Sequence, residues 1–303
     1  MSKKIALAGP VLIIIAALLW ALDGVIRRGL YSFEPIHIIF FEHAIGFLIL
    51  LPFALPALRK SSFTKKEWGV LALVSLLSGL LGTLFFTTAL LKTMFISFSV
   101  VFLLQKLQPL FAIATARIFL KEPLPPRYIR LALCALLAAY FVTFPLGKVN
   151  FETGAGTAMA ALFALLAAIA WAISTTFSKI ALANHNPRAV TFIRFAITTT
   201  LAFLAIVIFS KVDTLRAPTG GEFIRFLIIA LSTGMVALLI YYKGLKTTPV
   251  RVSTILELTF PFVAIMIDVF LYKSVLHWSQ YVAAALLLFV MYRITKLQNK
   301  HAI

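Results

Sequence analysis

Apolar stretches long enough to cross a membrane follow one another along this chain and leave little sequence between them. About 20 apolar residues suffice for a membrane-spanning helix. The 303 residues are 62% hydrophobic and 13% charged, whereas soluble domains are about 45–50% apolar. The sequence therefore predicts an all-α membrane protein with ten transmembrane helices. The predicted spans are, in order, 5–27, 35–57, 68–91, 94–119, 126–146, 155–181, 188–210, 223–242, 249–272 and 277–297.

The net charge of +18 comes from Lys and Arg residues in the short loops between the apolar stretches. That distribution is typical of helices oriented in a bilayer, where basic residues concentrate on the cytoplasmic side. With the N-terminus assigned to the cytoplasm, most basic residues fall on the inner side, so we expect both termini to be cytoplasmic. Nucleic-acid binding is not expected. The single cysteine, Cys134, excludes an internal disulfide.

One pattern occurs twice, at Phe102–Leu124 and again 152 residues later at Thr254–Leu276. Pro109 aligns with Pro261, and Gln105 aligns with Glu257. Each half of the chain holds five predicted spans, and because five is odd the second half enters the membrane from the opposite face. We expect two inverted five-helix repeats, 1–150 and 151–303, with helix kinks at Pro109 and Pro261. Inverted repeats with polar, proline-interrupted helices indicate a binding site between the halves.

Lys106 is the strongest signal for that site, because it lies about thirteen residues from either end of its span. At that depth a lysine must pair, face water or bind an anion. Glu257, in the repeat-related span, is the partner we expect, and Gln105 is expected to line the same cavity. A structural ion pair is the alternative. Arg194 lies nearer the cytoplasmic end of its span, where snorkelling or pairing is expected.

Three aromatic residues are predicted to line the cavity. Trp20 in the first span and Trp171 in the sixth occupy matching positions of the two halves. Tyr242 offers an aromatic surface with a hydroxyl group. Packing, or a position at the membrane interface, is the alternative for the tryptophans.

Two carboxylates lie inside the first and second spans. Asp23 follows Trp20 by three residues and therefore lies on a similar helix face, and Glu42 lies about 10 Å into its span. Both are predicted to bind substrate, and either could carry a proton if it lacks a partner. A local ion pair with Arg27, four residues after Asp23 and assigned to the outer surface, is the alternative.

The whole chain resembles the EamA-type branch of the drug/metabolite transporter superfamily. The resemblance rests on the two five-span repeats, on Ala17-Leu18-Leu19-Trp20, and on Pro109 followed by Lys121-Glu122-Pro123-Leu124. It implies secondary transport by alternating access across the bacterial inner membrane, often export of amino acids or related metabolites. It also implies a cavity lined by spans 1, 3, 4, 6, 8 and 9. The chain departs from the family at Glu42, where many members carry Arg, and at Ser274, where the repeat predicts an acid.

The leading hypothesis is export of a small polar metabolite, with an amino acid as the expected substrate, because Glu257 and Lys106 could hold the two charges of a zwitterion. The alternative is proton-coupled transport of an organic cation such as a quaternary amine, with Glu42 or Asp23 as the carrier and Trp20 and Tyr242 in cation–π contact. Enzyme activity is not expected, and no catalytic residue, metal site or cofactor is predicted. The expected partners are a small-molecule substrate and the lipid bilayer, and the chain is expected to be a monomer.

Overall fold

The computed structural model describes residues 3–30, 32–92, 104–105, 107–148, 157–209, 211–260, 263 and 277–301. Within these ranges all regular elements are helical, in agreement with the predicted all-α class. The helices are α1 (Lys3–Arg27), α2 (Pro35–Arg59), α3 (Lys65–Val74), α4 (Thr83–Lys92), α5 (Gln108–Phe119), α6 (Pro126–Thr143), α7 (Thr157–Asn184), α8 (Pro187–Ile208), α9 (Gly220–Leu231), α10 (Met235–Thr247), α11 (Val250–Leu256) and α12 (Trp278–His301).

Among the described residues, eight helical stretches are long and apolar enough to cross a membrane. They correspond to predicted spans 1, 2, 3, 5, 6, 7, 8 and 10. Predicted spans 4 and 9 fall partly on residues outside the description, so the count of ten, the inversion of the halves and the cytoplasmic termini stay predictions. The described spans are 8–27, 35–59, 65–89, 126–143, 158–184, 187–208, 220–247 and 278–297.

Local sequence explains where several helices begin. Pro35, Pro126 and Pro187 are the first residues of α2, α6 and α8, where a missing N–H costs no helical hydrogen bond. Thr64 and Thr219 accept hydrogen bonds from the backbone N–H three residues later and form capping boxes at the starts of α3 and α9. These caps satisfy donors that would otherwise lack partners at the helix ends.

Two predicted spans are interrupted instead of continuous. A π-helical segment, Ser75–Gly82, separates α3 from α4. A turn at Ser232–Gly234 separates α9 from α10. The predicted span at 223–242 is therefore present but is divided into two helices by this turn. The aromatic pairs Phe85-Phe86 and Tyr241-Tyr242 occupy matching positions of the two halves. Ser78 lies seven residues before the first pair, and Gly234 lies seven residues before the second. The two interruptions therefore occupy equivalent positions.

Small residues bring the helices close together. α7 packs on α4 and α5, and several of its alanines, including Ala164 and Ala168, are fully buried. α1 packs on α10 with Gly9 against Gly244. Lipid tails are as apolar as the helix surfaces, so the hydrophobic effect contributes little to helix–helix association in a membrane. Close van der Waals contact between small residues stabilises such interfaces instead. α2 similarly packs on α8, which brings the second and seventh predicted spans together.

The Lys121-Glu122 pair closes α5 and caps α11. Lys121 adopts a left-handed backbone conformation with φ 54°, so the chain turns directly after α5. The Glu122 carboxylate then accepts hydrogen bonds from the Val250 and Arg251 N–H groups at 2.7 and 3.0 Å. An anion at a helix N-terminus satisfies exposed donors and the helix dipole. This acid therefore links the fourth and ninth predicted spans.

We predict that Gly244→Ala destabilises the protein. The added Cβ would lie 2.7 Å from the Gly9 carbonyl oxygen and 2.9 Å from Ile13 Cγ1, so α1 and α10 must separate, at a cost of about 1–3 kcal/mol. The matched control is Gly220→Ala, whose Cβ would meet open space. Thermal unfolding in detergent should show a decrease in melting temperature for Gly244→Ala and no decrease for Gly220→Ala. Equal melting temperatures for both variants would contradict the close approach of the two helices.

Candidate functional site

A cavity of about 260 Å³ lies among the transmembrane helices, and every predicted site residue that the structure describes lines it. Lys106 and Pro261 lie outside the described residues, so the Lys106–Glu257 pair and the second kink stay predictions. Pro109 contributes to the wall as the second residue of α5, a position where proline is tolerated. The predicted residues on the wall are Trp20, Asp23, Glu42, Gln105, Trp171, Tyr242 and Glu257.

Arg27 joins the two carboxylates of the first and second spans. Its Nε donates to Asp23 Oδ2 at 2.7 Å, and its Nη2 donates to Asp23 Oδ1 at 3.2 Å and to Glu42 Oε2 at 3.0 Å. The predicted ion pair between Asp23 and Arg27 is therefore confirmed. Glu42 also has a charged partner, so the condition under which it would carry a proton is not met, and Arg27 is buried with 5% exposure.

The turn between α9 and α10 completes this ion cluster. Thr233 Oγ1 donates to Asp23 Oδ1 at 2.6 Å. Gly234 lies so close that a Cβ there would be 3.2 Å from Glu42 Oε1. The cluster therefore ties α1 and α2 to the point where the eighth span is interrupted, and separating these helices requires its contacts to break.

Glu257 lies directly after α11 and is held by neutral donors. Tyr241 Oη and Ser253 Oγ donate to its Oε1 at 2.6 and 3.2 Å. Gln108 Nε2 donates to its Oε2 at 3.3 Å. No cation in the described part of the chain lies within ion-pair distance of this carboxylate. The contact from Gln108 links the fourth and ninth predicted spans.

Arg194 projects into the cavity from α8 and is 8% exposed. Its Nη1 donates to Tyr242 Oη at 2.7 Å, and its Nη2 donates to Ser78 Oγ. The predicted snorkelling to the cytoplasmic surface is therefore wrong, because the side chain turns inward to neutral oxygen atoms.

Neighbouring tyrosines of α10 connect the remaining acid and base. Tyr241 donates its hydroxyl proton to Glu257, whereas the Tyr242 hydroxyl accepts from Arg194. Both rings are buried. One short stretch of helix thus fixes a carboxylate and a guanidinium at the same cavity.

Two aromatic pairs, each joining a residue of the first half of the chain to a residue of the second, form part of the wall. The Trp20 and Tyr241 ring centroids lie 5.0 Å apart, and those of Phe86 and Trp171 lie 5.3 Å apart. Trp171 Nε1 donates to the Ser78 carbonyl oxygen at 3.4 Å. The indole is therefore oriented by the π-helical segment, a type of irregularity that is frequent at functional sites.

Several residues of the cavity are not among the sequence-predicted site residues. The position of Arg27, four residues after Asp23, could have identified it. Arg194 could have been identified because it occupies the position in the second repeat that Glu42 occupies in the first. Gln108 belongs to the polar cluster directly before Pro109, and Tyr241 directly precedes Tyr242, so local sequence points to these two as well. Nothing in the local sequence distinguishes Ser78 and Thr233, which reach the cavity at the two interruptions.

We predict that Arg27→Met strongly destabilises the protein, because it leaves Asp23 and Glu42 buried without their counter-charge. Removing one partner of a buried ion pair costs about 3–5 kcal/mol. Adding Asp23→Asn and Glu42→Gln should recover much of this loss, since the buried charges are then gone. Unfolding in detergent measures both effects.

Arg216→Met is the control for that series, because the Arg216 pair with Glu222 is partly exposed, with 43% of the arginine side chain accessible. Its loss should leave the melting temperature close to that of the wild type, because exposed ion pairs contribute little to stability. A triple variant no more stable than Arg27→Met would show that charge neutralisation is not the role of Arg27.

Comparison with known proteins gives three likenesses. A family model described as the EamA-like transporter family matches residues 7–144 and again residues 158–295. The riboflavin transporter ImpX of Fusobacterium nucleatum subsp. nucleatum is 32% identical over 292 residues, covering 95% of this chain and 98% of that protein. A protein of known crystal structure is 18% identical in sequence and superposes with a TM-score of 0.76. That match covers 100% of this chain and 99% of the other chain. That last likeness concerns the fold alone.

Proposed function

Because this chain belongs to the EamA-like transporter family, a family of small-metabolite transporters, we propose that its substrate is riboflavin or a closely related flavin. The relative that is 32% identical over nearly its whole length is named as a riboflavin transporter. We further propose that the cavity between the two halves is the binding site, that alternating access moves the substrate, and that the membrane is the bacterial inner membrane.

The single observation that carries this proposal is the pairing of aromatic walls with unsatisfied hydrogen-bond donors. The two aromatic pairs, Trp20 with Tyr241 and Phe86 with Trp171, offer faces on which a planar ring system can stack. Buried polar atoms normally have hydrogen-bond partners. Riboflavin has a flat ring system with several acceptors and a chain of hydroxyl groups, so it supplies what these residues lack. The wall atoms that have no hydrogen-bond partner in the described part of the chain include Thr87 Oγ1, Gln105 Nε2, Arg194 Nε and Thr254 Oγ1.

Amino-acid export is the second candidate, favoured by the acid and base that flank the tyrosine pair. A zwitterion would offer its carboxylate to Arg194 and its ammonium to Glu257, since neither has an ion-pair partner among the described residues. Lys106 could add a second cation. This candidate makes less use of the four aromatic rings.

Proton-coupled transport of an organic cation has weaker support. The expected carriers, Asp23 and Glu42, already share Arg27. Glu257 is the remaining carboxylate of the cavity without an ion pair among the described residues. A cationic substrate would therefore meet attraction from Glu257 but repulsion from Arg194 in the same cavity.

We predict riboflavin counterflow in proteoliposomes that contain the purified protein. Vesicles loaded with unlabelled riboflavin should accumulate labelled riboflavin from outside, because a carrier exchanges substrate across the bilayer. An excess of unlabelled flavin should compete, whereas amino acids and quaternary amines should not. Amino-acid counterflow without riboflavin counterflow would overturn the flavin assignment in favour of the second candidate.

We also predict that Trp20→Ala and Trp171→Ala each weaken riboflavin binding. Stacking of a base on an aromatic side chain contributes about 1–3 kcal/mol, which corresponds to roughly a 5- to 150-fold loss of affinity. Trp68→Ala is the matched control, because Trp68 is 47% exposed and lies outside the cavity. Isothermal titration should show wild-type affinity for the control. Wild-type affinity in both cavity variants would exclude stacking on these indoles.

A further inference from the structure

Arg194 differs from the other buried arginines in its surroundings. Arg27 contacts two carboxylates, and Arg251 has Glu122 Oε2 at 3.9 Å. Arg194 has no carboxylate within ion-pair distance among the described residues. Its guanidinium instead contacts the hydroxyl groups of Tyr242 and Ser78.

The contacts of Arg194 hold its guanidinium in place but use only some of its N–H donors. A guanidinium carries five N–H donors, and the structure occupies two of them, one on Nη1 and one on Nη2. Nε is buried and has no hydrogen-bond partner among the described residues. The Tyr242 ring centroid lies 5.6 Å from the guanidinium carbon and adds a cation–π contact. A buried cation with a free donor is costly unless something completes its contacts.

The unsatisfied polar groups near Arg194 indicate which kind of ligand would complete its contacts. Gln105 Nε2 is a donor only, and the Thr87 and Thr254 hydroxyls can each donate. All three line the same cavity as Arg194. The complementary ligand therefore presents several hydrogen-bond acceptors to these residues.

Resting on the flavin proposal above, we infer that Arg194 is the specificity-determining residue that binds the pyrimidinedione edge of the flavin ring. That edge carries two carbonyl oxygens and an unprotonated ring nitrogen. The planar guanidinium can donate Nε–H and a remaining Nη–H to two adjacent acceptors in parallel. Tyr242 and Ser78 act as positioning residues, because they fix the plane of the guanidinium before the substrate arrives.

Isothermal titration of the full-length protein with riboflavin and with lumiflavin, which keeps the ring system but lacks the ribityl chain, tests this inference. Arg194→Gln should weaken the binding of both flavins by the same factor, roughly ten- to a hundred-fold. Arg194→Lys should recover only part of the loss, because an ammonium has no planar fork. Arg188→Gln, an exposed position on the same helix, should bind both flavins like the wild type.

The alternatives give different results in the same experiment. A loss for riboflavin with unchanged lumiflavin binding would move Arg194 to the ribityl chain and overturn the inference. Unchanged binding of both, or full recovery with lysine, would also overturn it. A wild-type protein that binds neither flavin would refute the proposed function and this inference with it.

Tyr242→Phe provides a second variant if Arg194→Gln does not fold. It keeps the ring but removes the hydroxyl that accepts from Arg194. It should weaken both flavins by an equal, smaller factor than the arginine variant. If the binding of the two flavins weakened by different factors, or did not weaken at all, the placement of Arg194 at the flavin ring would be contradicted.

Discussion

The energetic cost of charge inside an apolar bilayer is the constraint on which the cavity depends. A charged group at that depth requires a partner, water or a ligand. Asp23 and Glu42 meet the requirement by sharing Arg27. Glu257 meets it with neutral donors. Arg194 meets it only in part, since one buried donor has no acceptor among the described residues. The ion cluster therefore secures the helices, and the proposed flavin site uses the groups that are incompletely satisfied.

The two helix interruptions make this division of roles possible. A regular helix uses its carbonyl groups internally, whereas a π segment or a turn releases some of them and redirects neighbouring side chains. Ser78, in the first interruption, contacts both Arg194 and Trp171. Thr233, in the second, contacts Asp23. Broken helices in corresponding positions of two halves are typical of transporters with a central site.

Much of the fold could be predicted from the sequence, because long apolar stretches and prolines at helix starts are local signals. The repeat also predicted the cavity-lining positions of Trp20 and Trp171 and of Glu257. The interruptions were not predicted, because 75–82 and 232–234 contain no proline and their Ser and Gly residues are weaker signals that also occur in continuous transmembrane helices. The Glu42 contact with Arg27 depends on how α1 and α2 pack, which spacing within one helix does not reveal. Substrate identity depends on cavity shape and was likewise beyond the sequence.

The most direct measurement is an experimental structure of the full-length protein with riboflavin bound. The ring system should lie in the cavity between the aromatic pairs formed by Trp20 with Tyr241 and Phe86 with Trp171. Its pyrimidinedione edge should lie within hydrogen-bond distance of Arg194, with the Asp23–Arg27–Glu42 cluster still separate from the ligand. A flavin bound outside this cavity, or one whose ring turns its methylated edge toward Arg194, would contradict that description of the site.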